Sequence, residues 1–224
     1  GVLFAIIVLL VALSVKYIDD FAFAGSAVGK INLENVDYID GNAFEGCAQL
    51  NSVTLTAEVV YSKAFLNCTG LEEIKLDGTK FINMYVFQGC TSLKHVTVPA
   101  SVIALKNEAF RDCTGLETAE VNVGNLNGTV SSSGTAGNGW FKGCTSLKTV
   151  TFADGLLRLE NYLFEGCTSL TTIKLPATLQ RLSAGYGAFK NCTSLVSLTI
   201  PAGVTAIENN EFVGCASLKE IIFE

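Results

Sequence analysis

Eight cysteines and one histidine are the residues of this 224-residue chain best suited to chemistry. A cysteine nucleophile works as its thiolate, and a neighbouring imidazole is a common way to obtain one. The only imidazole, His95, lies in the run Leu93, Lys94, His95, Val96, Thr97, just after Cys90. The pattern of that run turns Cys90 inward and His95 outward, so the two are not set for proton transfer. A zinc site would want a Cys-x-x-Cys pair or several histidines, and the chain has neither. The carboxylate pairs Glu72-Glu73 and Asp19-Asp20 fall on opposite faces of a strand or in turns, where they read as solvated charges. No glycine-rich loop precedes a Lys-Ser or Lys-Thr pair. These residues predict no catalytic set, no metal site and no cofactor.

The cysteines instead mark a repeat. They stand at 47, 68, 90, 113, 144, 167, 192 and 215, separated by 21, 22, 23, 31, 23, 25 and 23 residues. Three residues before each is a phenylalanine (Phe44, Phe65, Phe87, Phe110, Phe141, Phe164, Phe189, Phe212). Three after each is a leucine, from Leu50 to Leu218. A period of this size signals a solenoid in which each repeat is one supersecondary unit.

Within a unit the leucine opens a strand. In Leu170-Thr171-Thr172-Ile173-Lys174-Leu175, Ile173 and Leu175 share one side while Thr172 and Lys174 share the other. Pro99, Pro176 and Pro201 follow such strands and end the ladder, having no N–H to donate. A second apolar pair, such as Val204 and Ile207, comes next, and then a short helical stretch is predicted to carry the phenylalanine inward. The residue before each cysteine is Gly46, Asn67, Gly89, Asp112, Gly143, Gly166, Asn191 or Gly214. All are types that tolerate positive φ, as the end of a helix commonly requires.

The pattern Ala-Phe-x-Gly-Cys-Thr-Ser-Leu-x-x-Ile-x-Leu-Pro resembles the leucine-rich repeats of the BspA-like type, found in surface proteins. The resemblance covers residues 17–224. It departs locally at Ala119, where a larger strand residue is usual, and in the five repeats without proline. It implies an α/β repeat solenoid: a right-handed leucine-rich-repeat coil with one strand ladder, turns and short helices in each repeat of about 23 residues. It also implies a surface adhesion role and brings no catalytic residues.

Composition fits this reading. Apolar residues are 49% of the chain, enough to fill a core, and the formal net charge of −6 argues against a nucleic-acid partner. Eight cysteines in an exported protein would ordinarily suggest disulfides. Here each cysteine takes the same inward place in successive coils, which favours a ladder of buried free thiols packing as small hydrophobes.

Residues 1–16 form an uncharged apolar segment up to Lys16, ahead of the solenoid at 17–224. It reads either as the remnant of an export signal or as a degenerate first coil, and it is short for a membrane span. The surplus length between Cys113 and Cys144 falls in residues 122–139, whose Gly/Ser/Asn composition reads as a surface loop. Asn127 within it is the plausible glycosylation acceptor. Trp140 follows, at a place usually filled by alanine. It is either an aromatic anchor beside a recognition loop or, the reading favoured here, a ring packed under the loop base.

The outward strand positions are the candidate partner-binding residues: Thr54, Lys75, His95, Thr97, Glu120, Thr151, Lys174 and Thr199, with Trp140 beside the loop. A second outward row, containing Lys94, Glu117 and Lys148, alternates in sign and is expected to pair with itself. The expectation is a non-enzymatic surface or secreted binding protein that presents this face to a protein or glycan. The alternative is an intracellular interaction scaffold on the same repeats.

Overall fold

The computed structural model describes residues 15–124, 139–183 and 185–224. The two readings of the apolar N-terminal segment, and most of the expected loop with Asn127, lie outside the described residues.

Twelve short strands follow one another: β1 (Tyr17–Ile18), β2 (Tyr38–Ile39), β3 (Ser52–Thr54), β4 (Val59–Val60), β5 (Glu73–Lys75), β6 (Phe81–Ile82), β7 (His95–Val98), β8 (Ala104–Leu105), β9 (Thr118–Val121), β10 (Thr149–Phe152), β11 (Ser197–Ile200) and β12 (Glu220–Phe223). They build two parallel ladders, not the single one expected. The back ladder runs β1-β2-β4-β6-β8, and the bridge Arg158 to Arg181 continues the same kind of pairing further along. The front ladder comprises β3-β5, β7-β9-β10 and β11-β12. The second apolar pair of each repeat, identified in sequence but not assigned to a strand, supplies the back ladder.

The expected short helices are a correction. No helix occurs among the described residues, so the chain is a β-solenoid rather than an α/β one. The reason lies in the amides. In the arc before Cys47, Asn42, Phe44 and Gly46 donate to Ser62, Ala64 and Leu66 of the next coil at 3.2, 2.7 and 2.8 Å. The alternate amides of Ala43, Glu45 and Cys47 donate three residues back within their own coil. An α-helix needs every amide for its own i→i−4 bonds, and this arc sends every second one to its neighbour.

That alternation depends on left-handed residues. Each residue before a repeat cysteine has positive φ, from 56° at Asp112 to 79° at Gly214, as its type predicted. A second left-handed position lies four residues earlier and was not foreseen. It is filled by Asn42, Lys63, Tyr85, Glu108, Tyr162 and Asn210, mostly types that rarely adopt it.

The core is a stack of repeated side chains. Phe23, Phe44, Phe65, Phe87, Phe110, Phe141, Phe164, Phe189 and Phe212 stack ring on ring, with centroids 5.0–6.0 Å apart. Burying each ring stabilises the fold by about 1.5–3 kcal/mol relative to exposing it, and near-parallel stacking adds about 0.5–1.5 kcal/mol per pair. Each cysteine thiol donates to the phenylalanine carbonyl one coil back, from Cys47 to Phe23 at 3.0 Å through Cys215 to Phe189 at 3.0 Å. The amide of a cysteine donates to the phenylalanine carbonyl of its own coil, as Cys68 does to Phe65 at 3.3 Å. Each such carbonyl therefore accepts twice. All eight cysteines are free, and seven are buried.

The residue before the phenylalanine fills the remaining space. Ala43, Ala64, Ala109 and Ala188 are fully buried there. Trp140 takes the same place and is only 2% exposed, so it belongs to the core and leaves the set of partner-binding candidates. Glu211 also takes it, buried at 2% exposure, and accepts from the Ala188 amide at 2.9 Å and from the Ser183 hydroxyl. The glutamate thereby joins Ser183 and Ala188 through one carboxylate.

Two outcomes are expected. Gly166 has a φ of 76°, and a Cβ there would meet only ordinary contacts with Gly143 at 3.8 Å. The cost of Gly166→Val is therefore conformational, about 1–3 kcal/mol, and thermal melting should fall by about 2–4 °C per kcal/mol. Gly166→Asn should cost less, since asparagine tolerates this conformation. Burial pushes the Glu211 carboxyl above the ordinary glutamate value, helped by Glu208 and opposed by its two donors. A raised folded-state value favours folding fully below the ordinary value and loses that support as pH rises through the raised one. Glu211→Gln should flatten the decline in melting temperature as pH rises above the ordinary glutamate value; an unchanged slope would show that Glu211 is not its source.

Candidate functional site

The front ladder turns alternate residues outward, and its register places them in rows. Thr54 pairs with Lys75, Thr97 with Glu120, Glu120 with Thr151, and Thr199 with Ile222. Beside this row run Ser52 with Glu73, and His95 with Thr118 and Thr149. Between the rows, Val53, Ile74, Val96, Ala119, Val150 and Leu198 point into the core. Lys75, His95, Glu120, Thr151, Lys174 and Thr199 are exposed, and Thr54 and Thr97 are half-buried. The structure thus gathers the sequence candidates on one face, Trp140 excepted.

A side-chain chain crosses the centre of this face. His95 Nδ1 lies 2.7 Å from Thr118 Oγ1, and Nε2 lies 3.0 Å from Thr97 Oγ1. Thr97 donates to Glu120 Oε2 at 3.4 Å. The Thr97 proton being spent on Glu120, a neutral His95 donates from Nε2 to Thr97 and accepts at Nδ1 from Thr118. The network orients the imidazole without a buried acid or base beside it. Lys148 binds Glu117 at 2.8 Å, and this lysine holds the Glu117 carboxyl below its ordinary value. That pair is the expected self-pairing of the alternating row. Lys75 is held by Glu73 at 3.2 Å. Lys94 and Lys174 make no ion pair among the described residues.

The seven buried cysteines offer no nucleophile. Burial pushes the Cys68 thiol up to about 12 and moves Cys90, Cys144, Cys167 and Cys192 upward as well. Cys90 is fully buried while His95 is exposed, as their spacing predicted. No group of three or more His, Cys, Asp or Glu side chains is placed to hold a metal among the described residues. No helix among them is long and apolar enough to cross a membrane.

Among the described residues, clefts open on the front face in three places, and these the sequence reading missed. A cleft of about 600 Å³ lies between β5 and β7, lined by Glu72, Ile74, Lys75, Leu76, Lys94, His95, Thr97 and Pro99 among others. A second, of about 300 Å³, lies between β10 and the coil that follows, and includes Thr151, Phe152, Lys174 and Pro176. A third, of about 230 Å³, lies between that coil and β11, and includes Lys174, Leu175, Thr199 and Pro201. They coincide with the interruptions of the ladder. β5 and β7 are not paired, and residues 171–175 form no strand.

The three repeat prolines sit one at each cleft. In three of the coils without proline the corresponding amide donates to the preceding strand: Asn122 to Val98 at 2.8 Å, Ala153 to Val121 at 3.0 Å, Glu224 to Ile200 at 3.1 Å. Pro99, Pro176 and Pro201 have no such hydrogen to offer Leu76, Phe152 and Leu175. The back ladder still pairs β4, β6 and β8 behind the first cleft, so the coils part on the front side while staying joined behind.

Comparison with known proteins agrees with this architecture. No curated protein matches the chain. A leucine-rich repeat protein from Bacteroides ovatus ATCC 8483 is similar in structure, at 27% identity and a TM-score of 0.53, over 93% of this chain and 64% of that one. A leucine-rich repeat protein from Eubacterium ventriosum ATCC 27560 shares the fold at 20% identity and a TM-score of 0.67, over 89% of this chain and 62% of that one. The chain thus spans less than two thirds of either. The BspA type leucine-rich repeat region matches residues 9–117 and 122–224 in six copies. With its phenylalanine stack, cysteine-marked turns and outward polar strands in place, the chain belongs to the BspA-type leucine-rich repeat family.

Proposed function

We propose that this chain is a non-enzymatic binding protein, displayed at the cell surface or secreted, that engages a protein or glycan through the outward face of the front ladder. The observation that carries the reading is the division of labour along each strand. Inward residues fill the core, whereas Lys75, His95, Glu120, Thr151, Lys174 and Thr199 stand exposed in register on one polar face. Solenoids use such extended surfaces for binding. The surface placement follows the family resemblance. An intracellular scaffold is the second reading, favoured by one observation: eight free cysteines, seven of them buried, are at home in a reducing compartment.

Two measurements separate these readings. Protease shaving of intact source cells should release peptides of this chain, whereas release only after lysis would favour the scaffold. The labelled chain should bind features on an array of extracellular proteins and glycans. A variant combining Lys75→Ala, Glu120→Ala, Thr151→Ala and Lys174→Ala should lose about tenfold in affinity, or about 1.4 kcal/mol, without a lower melting temperature. Equal binding by the variant would move the site away from this face.

A further inference from the structure

We propose that the cleft between β5 and β7 binds a short neutral oligosaccharide across its outer mouth, through side chains alone. This rests on the reading of the front ladder as the binding face, and names one place on it and one ligand class. The two coils stay close beneath the cleft. Phe65 stacks on Phe87 at 5.5 Å, and β4, β6 and β8 pair in register behind. A polypeptide strand needs about 4.8 Å to each neighbour, so none enters between β5 and β7. A ligand lies instead across the mouth, where side chains and not backbone edges meet it.

The fold leaves charged side chains at that mouth unengaged. Glu72 and Lys94 each stand four residues after a repeat cysteine, in neighbouring coils. Their counterparts Glu117 and Lys148 close an ion pair at 2.8 Å, where β9 and β10 are joined. Glu72 and Lys94 line the cleft yet make no ion pair among the described residues, and neither does Asp77 further along the same wall. Glu73 is matched by Lys75 at 3.2 Å. The free groups are thus two carboxylates and one ammonium. A ligand of one charge sign leaves at least one of them opposed. A neutral polyol serves all three, because a hydroxyl donates to a carboxylate and accepts from an ammonium.

The cleft also offers a fixed apolar platform. His95 lines it with both ring nitrogens held, by Thr118 at 2.7 Å and Thr97 at 3.0 Å. The ring plane is set before a ligand arrives, which lowers the ordering cost of binding. Pro99 supplies a second rigid ring, and the nearly buried Ile74 and Leu76 supply hydrocarbon below. A sugar ring has the matching division, with C–H groups on its faces and hydroxyls round its rim. The volume of about 600 Å³ falls within the range of about 300–1,000 Å³ usual for small-ligand sites.

The test presents the whole chain to an array of short neutral oligosaccharides, sialylated and sulfated ones, and extended peptides. The parent should bind neutral oligosaccharides. Titrating in the tightest of them should move the ring-proton NMR signals of His95, the only histidine. Glu72→Ala combined with Asp77→Ala should weaken binding by about tenfold or more, with melting unchanged. Lys174→Ala combined with Thr199→Ala, at the other clefts, should leave it as it is. Equal binding by the first variant, unmoved His95 signals, or binding confined to acidic glycans or peptides would each overturn the proposal. Protein binding that the four-residue face variant loses, with no neutral oligosaccharide bound, would overturn the cleft's ligand alone and leave the binding face standing. An array with nothing bound would overturn both.

Discussion

The structure depends on the carbonyl of one repeated phenylalanine. It accepts the amide of its own coil's cysteine and the thiol of the next coil's, so each turn is closed and tied to its neighbour at the same oxygen. Cysteine suits this place because it is small and apolar enough for the core yet carries one weak donor. Where the first coil has Ser26 instead, its hydroxyl lies 3.5 Å from the Cys47 thiol. The stacked rings follow from this tie, since coils joined carbonyl by carbonyl must bring like side chains into line.

Much of this was legible in the sequence because the repeat restricts each position in the same way eight times. Gly, Asn and Asp before the cysteine announced positive φ, and every one of them has it. The inward cysteines and the outward threonines and lysines followed from strand alternation. The helices were misread because a left-handed stop looks the same after a helix as after a run of turns. What distinguishes them is an amide bonded to the next coil, which no single repeat can show. The second left-handed position was hidden because Lys63, Tyr85, Glu108 and Tyr162 are not types that announce it. Trp140 was ambiguous on account of its size; Glu211 was not singled out, and burial with two donors explains how the core holds it.

The candidate site was legible as a face but not as a set of clefts. The signal was nevertheless in the chain. Each of the three prolines sits at a cleft and withholds one amide from the preceding coil. The back ladder runs unbroken from β1 to β8, while the front ladder breaks between β5 and β7 on the side that carries the exposed polar rows.

The most direct test of the central claim is a thiol titration of the native chain with an aromatic disulfide reagent, in the absence of reductant. Seven thiols sit in the stack and one, Cys215, is half-exposed at its end. The account predicts that Cys215 alone reacts while the chain is folded, and that all eight react once it is unfolded. Rapid reaction of several thiols in the folded chain would contradict a closed stack, and fewer than eight after unfolding would show disulfides in place of thiols bound to phenylalanine carbonyls.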